Sequence, residues 1–301
     1  MADGQKKAKV ISFINFKGGV GKTSNTVNIA GELAHNFGKR VLVIDMDPQA
    51  NASVWLMGED RFFDMYRRGA PPRQTVLRLF TAVKNSRRYD IDDAIIKNVY
   101  KKDSIAPVNL DLLPAEYGMI NLDLRLTSGL ALSILKTILH NDGRFPLIRD
   151  RYDFILIDCP PSLSILTCNA LLVSDFYIVP TIPNYLSRIG LNILSSKIKE
   201  TVASFKPDLI LLGIILNLGN PQAQAYHNAV RMIERDLKHL KEEQIVDNEA
   251  KIFKPPIRNL IGIAEAAENN ILLFDANGGN YGTPKDLYQK LAQDILSHPY
   301  L

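Results

Sequence analysis

Lys17-Gly18-Gly19-Val20-Gly21-Lys22-Thr23-Ser24 lies between an apolar run, residues 10–16, and a segment patterned as a helix, residues 24–37. Strand, glycine loop and helix in that order form an anion cradle, because backbone N–H groups and the helix N-terminus converge on one point. Glycines let the chain wrap an anion at φ values that other residues resist. In such a loop Lys22 reaches the β- and γ-phosphates, and the Thr23 hydroxyl binds Mg²⁺. The usual pattern, G-x-x-x-x-G-K-[ST], puts a glycine where this chain has Phe16, and a second lysine, Lys17, stands at the loop entrance.

Two further strands end in carboxylates. Residues 40–46 read as a buried strand that runs into Asp45-Met46-Asp47-Pro48-Gln49-Ala50-Asn51-Ala52-Ser53. Residues 152–162, Tyr152-Asp153-Phe154-Ile155-Leu156-Ile157-Asp158-Cys159-Pro160-Pro161-Ser162, read as an apolar strand ending in Asp158. Carboxylates at the C-terminal ends of parallel strands are where α/β folds place ligand chemistry. Further strands are expected at residues 110–114, 175–181 and 209–217, with helices at 122–141, 164–173, 187–205, 224–241 and 286–297. This alternation predicts an α/β fold: a mostly parallel twisted sheet with helices on both faces and right-handed crossovers.

Taken together, K-G-G-V-G-K-T, D-M-D-P-Q-A-N-A and D-C-P-P-S resemble the deviant Walker A loop and companion motifs of the ParA/MinD family of P-loop ATPases. The third motif continues into Thr167, Asn169 and Ala170, and Leu113-Pro114-Ala115 resembles the family's L-P-A turn. The resemblance covers residues 9–53 and 110–183, and more loosely 209–298. It implies ATP and Mg²⁺ as ligands, with Lys17, Gly18, Gly19, Val20, Gly21, Lys22, Thr23, Ser24 and Asn217 holding the nucleotide. It also implies Thr23, Asp45 and Asp158 at the metal, the two carboxylates through water. Asp47 would position the attacking water, since aspartate is a feeble base near its normal pKa. Lys17 would cross a homodimer interface to the partner's nucleotide, so hydrolysis would depend on dimerisation and on a stimulating protein. Lys254-Pro255-Pro256-Ile257-Arg258-Asn259 and Glu265-Ala266 are similar to the family's segment near the adenine.

The rest of the 301 residues sets bounds. An apolar fraction of 46% suits one large domain or two small ones with a sizeable core. Two cysteines, Cys159 and Cys168, give no disulfide framework and no metal cluster. No stretch reads as a membrane span, and the expectation is a cytoplasmic, nucleoid-associated protein.

The net charge of +4 is unevenly placed, because residues 61–102 carry eleven Lys/Arg against four Asp/Glu. We read residues 54–106 as a basic, mostly helical insertion at the edge of a single ATPase domain, with helices at 74–85 and 92–100. Along residues 224–241, Arg231, Arg235 and Lys238 recur at i, i+4 and i+7, away from the apolar stripe Val230, Ile233, Leu237 and Leu240. With Lys197 and Lys199 they are the candidates for contact with DNA phosphates.

The family resemblance leaves branches to weigh. D-P-Q-x-N-A and D-C-P-P-S favour a ParA-type partition ATPase, which implies an ATP-dependent homodimer, non-specific DNA and a ParB-like or other adaptor protein. The loop begins at residue 17, so a short, non-specific DNA binder is expected, without the operator-binding domain of longer plasmid versions. A MinD-like ATPase would need a basic amphipathic C-terminal helix. Residues 286–297 carry only Lys290 among Asp286, Gln289, Gln293 and Asp294, so no membrane partner is expected. Dethiobiotin synthetase and nitrogenase iron protein share the loop type, but Cys159 and Cys168 are not placed to bridge a cluster between subunits.

Overall fold

A computed structural model describes residues 7–67, 74–101, 108–125, 133–139, 148–202, 205–258 and 260–301. Eight strands follow the chain: β1 (Lys9–Phe13), β2 (Val41–Asp45), β3 (Leu110–Leu113), β4 (Phe154–Asp158), β5 (Phe176–Thr181), β6 (Ile210–Gly219), β7 (Lys251–Ile252) and β8 (Ile257–Arg258). They form one sheet in the order β3-β2-β4-β1-β5-β6-β7, with β8 pairing the C-terminal end of β6. Every pairing between these strands is parallel.

Apolar, β-branched runs explain the layering. Every residue of β2, β3, β4 and β5 is buried, which requires helices on both faces. The connection from β1 leads past β4 to β2, while that from β4 leads past β1 to β5. The two crossovers leave neighbouring strands in opposite directions, which sets the loops that follow β1 and β4 side by side at the C-terminal edge of the sheet. Gly213 in β6 permits the close approach of β7, since a Cβ there would lie 2.1 Å from the Lys251 carbonyl oxygen.

The Lys22–His35 helix begins two residues before the sequence pattern predicts, directly after the glycine loop. It is buried on its polar side as well, with Asn25, Thr26, Asn28 and Glu32 all within the protein. Asn28 Oδ1 accepts from Leu273 N–H at 2.9 Å, so this face meets backbone rather than water.

The basic segment is built into the body of the protein. Helices Asn51–Met57, Glu59–Arg67 and Val76–Lys84 place Trp55, Leu56, Phe62, Leu79 and Phe80 in the same apolar core as the sheet. Trp55 Nε1 donates to Ile271 O (2.9 Å), and Tyr100 O–H donates to Asp275 (2.9 Å). The expected helix at 92–100 is only Ile91–Ala94. Ile95 turns extended (φ −85°, ψ 128°), and Ile96 pairs antiparallel with Leu112 of β3. A β-branched Ile-Ile step next to an edge strand gains more from that pairing than from another helical turn. Among the described residues no helix is long and apolar enough to cross a membrane.

Candidate active site

The glycine loop is anchored before it turns. Asn15 Nδ2 donates to Pro180 O on β5 (2.8 Å), and its Oδ1 accepts from Lys17 N–H (3.0 Å), an Asx turn that swings the chain out of the sheet. Gly19 and Gly21 then take φ of 70° and 87°, the left-handed region that favours glycine. Gly21 is the N-cap of the Lys22–His35 helix, and no side chain caps it. Its first-turn N–H groups are left to meet an anion, with the positive end of the helix dipole behind them.

The two lysines occupy opposite environments. Lys22 is 7% exposed, and its Nζ donates to Lys17 O across the loop (3.1 Å). Burial lowers its pKa, while Asp158 and Asp47 act to raise it. Lys17 is exposed at the loop entrance, and its ammonium has no partner among the described residues.

Three carboxylates gather below the loop. Asp45 and Asp158 end adjacent strands and are partners in register. Both are fully buried. Asp45 Oδ2 accepts from Ser53 N–H (2.9 Å) and Ser53 Oγ–H (2.7 Å), and Asp45 Oδ1 from Asp47 N–H (3.1 Å). Asp158 Oδ2 accepts from the Thr23 hydroxyl (2.7 Å) and Oδ1 from the Thr26 hydroxyl (3.4 Å). Burial raises the Asp45 pKa to about 7, and the neighbouring Asp47 charge adds to the rise. Asp158 is raised well above the usual carboxylate range, by burial first and then by Asp45. Asp47 is 8% exposed, and its Oδ1 accepts from Gln49 N–H (3.0 Å).

Two buried carboxylates in register, beside a third and opposed by one lysine, leave an excess of negative charge that a divalent cation would neutralise. No group of three or more His, Cys, Asp or Glu among the described residues could hold a metal by itself. The donor set therefore suits a hard cation that takes a hydroxyl, phosphate oxygens and water, as Mg²⁺ does.

On the other side of the loop, Asn217 at the end of β6 donates through Nδ2 to Val20 O (2.7 Å). Its Oδ1 is buried without a donor, and so is Oδ1 of Asn25. Ile257 of β8 is the register partner of Asn217, which brings the 254–258 segment beside it. Glu265 accepts from Asn280 Nδ2 instead (3.1 Å), and Asn259 lies outside the described residues.

Sequence reading missed Ser53, Thr26 and Asn15. Ser53 closes the Asp45 motif and Thr26 follows Thr23 by one helical turn, so their positions offered a signal. Asn15 offered only its place between strand and loop.

The candidate DNA contacts are all on the surface. Arg231, Arg235 and Lys238 are exposed along the Gln224–Glu242 helix, opposite buried Ile233, Leu237 and Leu240. Arg231 donates to Asn228 Oδ1 (2.7 Å), and Lys238 pairs loosely with Glu242 (3.7 Å). Lys197 is paired with Glu200 (2.7 Å), and Lys199 donates to Gln244 O (2.9 Å). The structure thus leaves the first row freer than the second.

The AAA domain family matches residues 8–211. Sporulation initiation inhibitor protein Soj of Bacillus subtilis is 30% identical over 295 residues, covering 96% of this chain and 99% of Soj. The chain belongs to the ParA/Soj family of partition ATPases. Within that family, the chromosome partitioning protein ParA of Myxococcus xanthus is 30% identical over 248 residues, 82% of this chain and 78% of that one. The ParA-like fold is also that of McdA from Cyanothece, solved as an ATP complex of a variant. It superposes with a TM-score of 0.72 at 20% identity, covering 98% of this chain and 99% of McdA.

Proposed function

We propose that this ParA/Soj-family chain is an ATPase that dimerises on ATP, binds DNA non-specifically and positions a plasmid, chromosome or protein cargo. The observation that carries this reading is the contrast between buried Lys22 and exposed Lys17. One lysine is committed to its own loop, and the other is free to serve a neighbour.

In this reading the open N–H groups of the loop and Lys22 bind the β- and γ-phosphates. Asn217 Oδ1 and Asn25 Oδ1, which lack donors, accept from N–H groups of the nucleotide or from the O–H of a water that it holds. Thr23, with Asp45 and Asp158 through water, holds Mg²⁺, which neutralises phosphate charge when bound. Asp47, partly accessible and held by Gln49 N–H, orients the attacking water. Lys17 from a second subunit supplies charge where it develops in the transition state, as an arginine finger does elsewhere. Turnover is then slow until a dimer forms and an adaptor protein acts on it. Arg231, Arg235 and Lys238, doubled by the dimer, give DNA a surface whose affinity falls steeply with salt.

Light scattering with ATP and Mg²⁺, followed by titration of a fluorescent duplex at two salt concentrations, tests the reading. A dimer that binds the duplex only with ATP, and more weakly at the higher salt, is expected. A chain that stays monomeric, or never binds DNA at low salt, contradicts it.

A further inference from the structure

A second cavity lies apart from the glycine loop, between the Val76–Lys84 helix, residues 87–93 and Glu116. Its volume is about 460 Å³, within the range that takes a small organic ligand. Leu77, Leu79 and Ala82 give it an apolar wall. Tyr89 also lines it, held by its hydroxyl, which donates to Thr137 O (3.2 Å).

The polar groups around it are unbalanced. Arg78, Arg87 and Arg88 line the cavity, are exposed, and have no acidic partner among the described residues. Asp90 and Asp93 share the rim, and Asp90 Oδ1 is engaged by Asp92 N–H (2.9 Å). Glu116 is 8% exposed, and its Oε2 is buried with no hydrogen-bond donor. A buried carboxylate oxygen without a donor is costly unless something brings one.

These features ask for a ligand with two ends. The guanidinium groups suit a phosphate, which they can grip through paired N–H bonds. The carboxylate suits an amino or ring N–H group, and the apolar wall with Tyr89 suits a flat ring. We infer that this cavity is a second ligand site, for a small organic phosphate that carries a ring with an N–H donor, the chemistry of a nucleotide.

The site is a neighbour of the first and not part of it. Val76 N–H donates to Pro114 O (2.9 Å), and Ala115 N–H donates to Ser53 Oγ (2.9 Å). Ser53 Oγ–H donates in turn to Asp45 (2.7 Å), so the turn that carries Glu116 is bonded to the support of the metal-site carboxylate. The inference does not depend on ATP hydrolysis, because binding alone tests it.

Equilibrium dialysis of the full chain with radiolabelled AMP, GMP and CMP supplies the test. The glycine loop is first filled with ATPγS and Mg²⁺, and the measurement is repeated with Lys22→Ala without ATPγS. At least one of the three should bind in both settings, with one site per chain and a Kd below ~1 mM. Arg87→Ala/Arg88→Ala, which changes only exposed side chains, should weaken that binding by about tenfold or more. Inorganic phosphate should bind at least about tenfold more weakly than the best nucleotide. The inference is overturned if none of the three binds below ~1 mM, if the double variant binds like the parent, or if phosphate alone binds as tightly.

Discussion

Asp45 and Asp158 face each other in register at the ends of neighbouring strands, both fully buried, with Lys22 as the counter-charge close by among the described residues. Ionising both puts like charges where water cannot screen them, which raises both pKa values and costs stability until a cation arrives. Asp158→Asn removes one of those charges while keeping an acceptor for the Thr23 hydroxyl. It should stabilise the ligand-free protein by ~1–2 kcal/mol and abolish the added stabilisation by ATP with Mg²⁺. Thermal melts with and without ATP and Mg²⁺ read both effects. A ligand-free variant that melts lower than the parent would show that the pair is not repulsive.

Gly21 sits at φ 87°, and a Cβ there would lie 2.8 Å from Asn217 Nδ2. Gly21→Ala should therefore cost ~1–3 kcal/mol and push Asn217 from its bond to Val20 O. Nucleotide affinity should fall with it, by about tenfold or more, measured by calorimetry. Asn217→Ala, which leaves the loop backbone unstrained, should lose affinity with a smaller drop in melting temperature.

Glu32 lies buried on the Lys22–His35 helix, its Oε2 accepting from Asn36 Nδ2 (2.5 Å) and its Oε1 without a donor. Burial raises its pKa from 4.5 to about 7, with Lys285 opposing the shift. An acid whose folded pKa is raised holds its proton longer in the native state than in the unfolded one. Stability is therefore lost as pH climbs from 4.5 toward 7 and is not regained above it. Glu32→Gln should leave stability near pH 4.5 almost unchanged and raise it at pH 8 by ~1–3 kcal/mol. Urea unfolding at the two pH values decides, and an equal effect at both would refute the assignment.

The two candidate DNA rows should differ. Arg235 has no partner among the described residues, Lys238 pairs only loosely with Glu242, and Arg231 bonds a neutral amide on its own helix, whereas Lys197 is paired with Glu200 and Lys199 with a backbone carbonyl. Arg231→Ala/Arg235→Ala/Lys238→Ala should lower ATP-dependent DNA affinity by about tenfold or more and flatten its salt dependence. Lys197→Ala/Lys199→Ala should have an effect of less than about threefold, because those cations already have partners. Fluorescence anisotropy at several salt concentrations separates them, and the opposite ranking would move the DNA surface to the Tyr185–Thr201 helix.

Local chemistry makes much of the fold and the site legible in the sequence itself. The glycine loop, the strand-terminal Asp45 and Asp158 and the parallel sheet all follow from residues near one another along the chain. Other features need distant partners. Ser53 supports Asp45 only because a helix returns it to the strand end, and the donor-less Oδ1 of Asn217 arises because β6 ends beside Val20. The charge of residues 61–102 suggests an insertion at the edge of the domain, yet its Phe62, Leu79 and Phe80 are core residues. Exposed arginines dominate its composition, while a few apolar positions decide its packing.

At the centre of the proposed mechanism, Lys17 serves the nucleotide of the other subunit. Lys17→Ala and Asp47→Ala should each be inactive alone. Mixed before ATP is added, they form heterodimers in which the Lys17→Ala subunit keeps its own Asp47 and receives Lys17 from its partner. A lysine acting in trans predicts that ATPase activity returns on mixing, at a fraction of the parent rate set by the heterodimer population. If the mixture stays as inactive as either variant while heterodimers are present, Lys17 acts within its own subunit and the trans mechanism is contradicted.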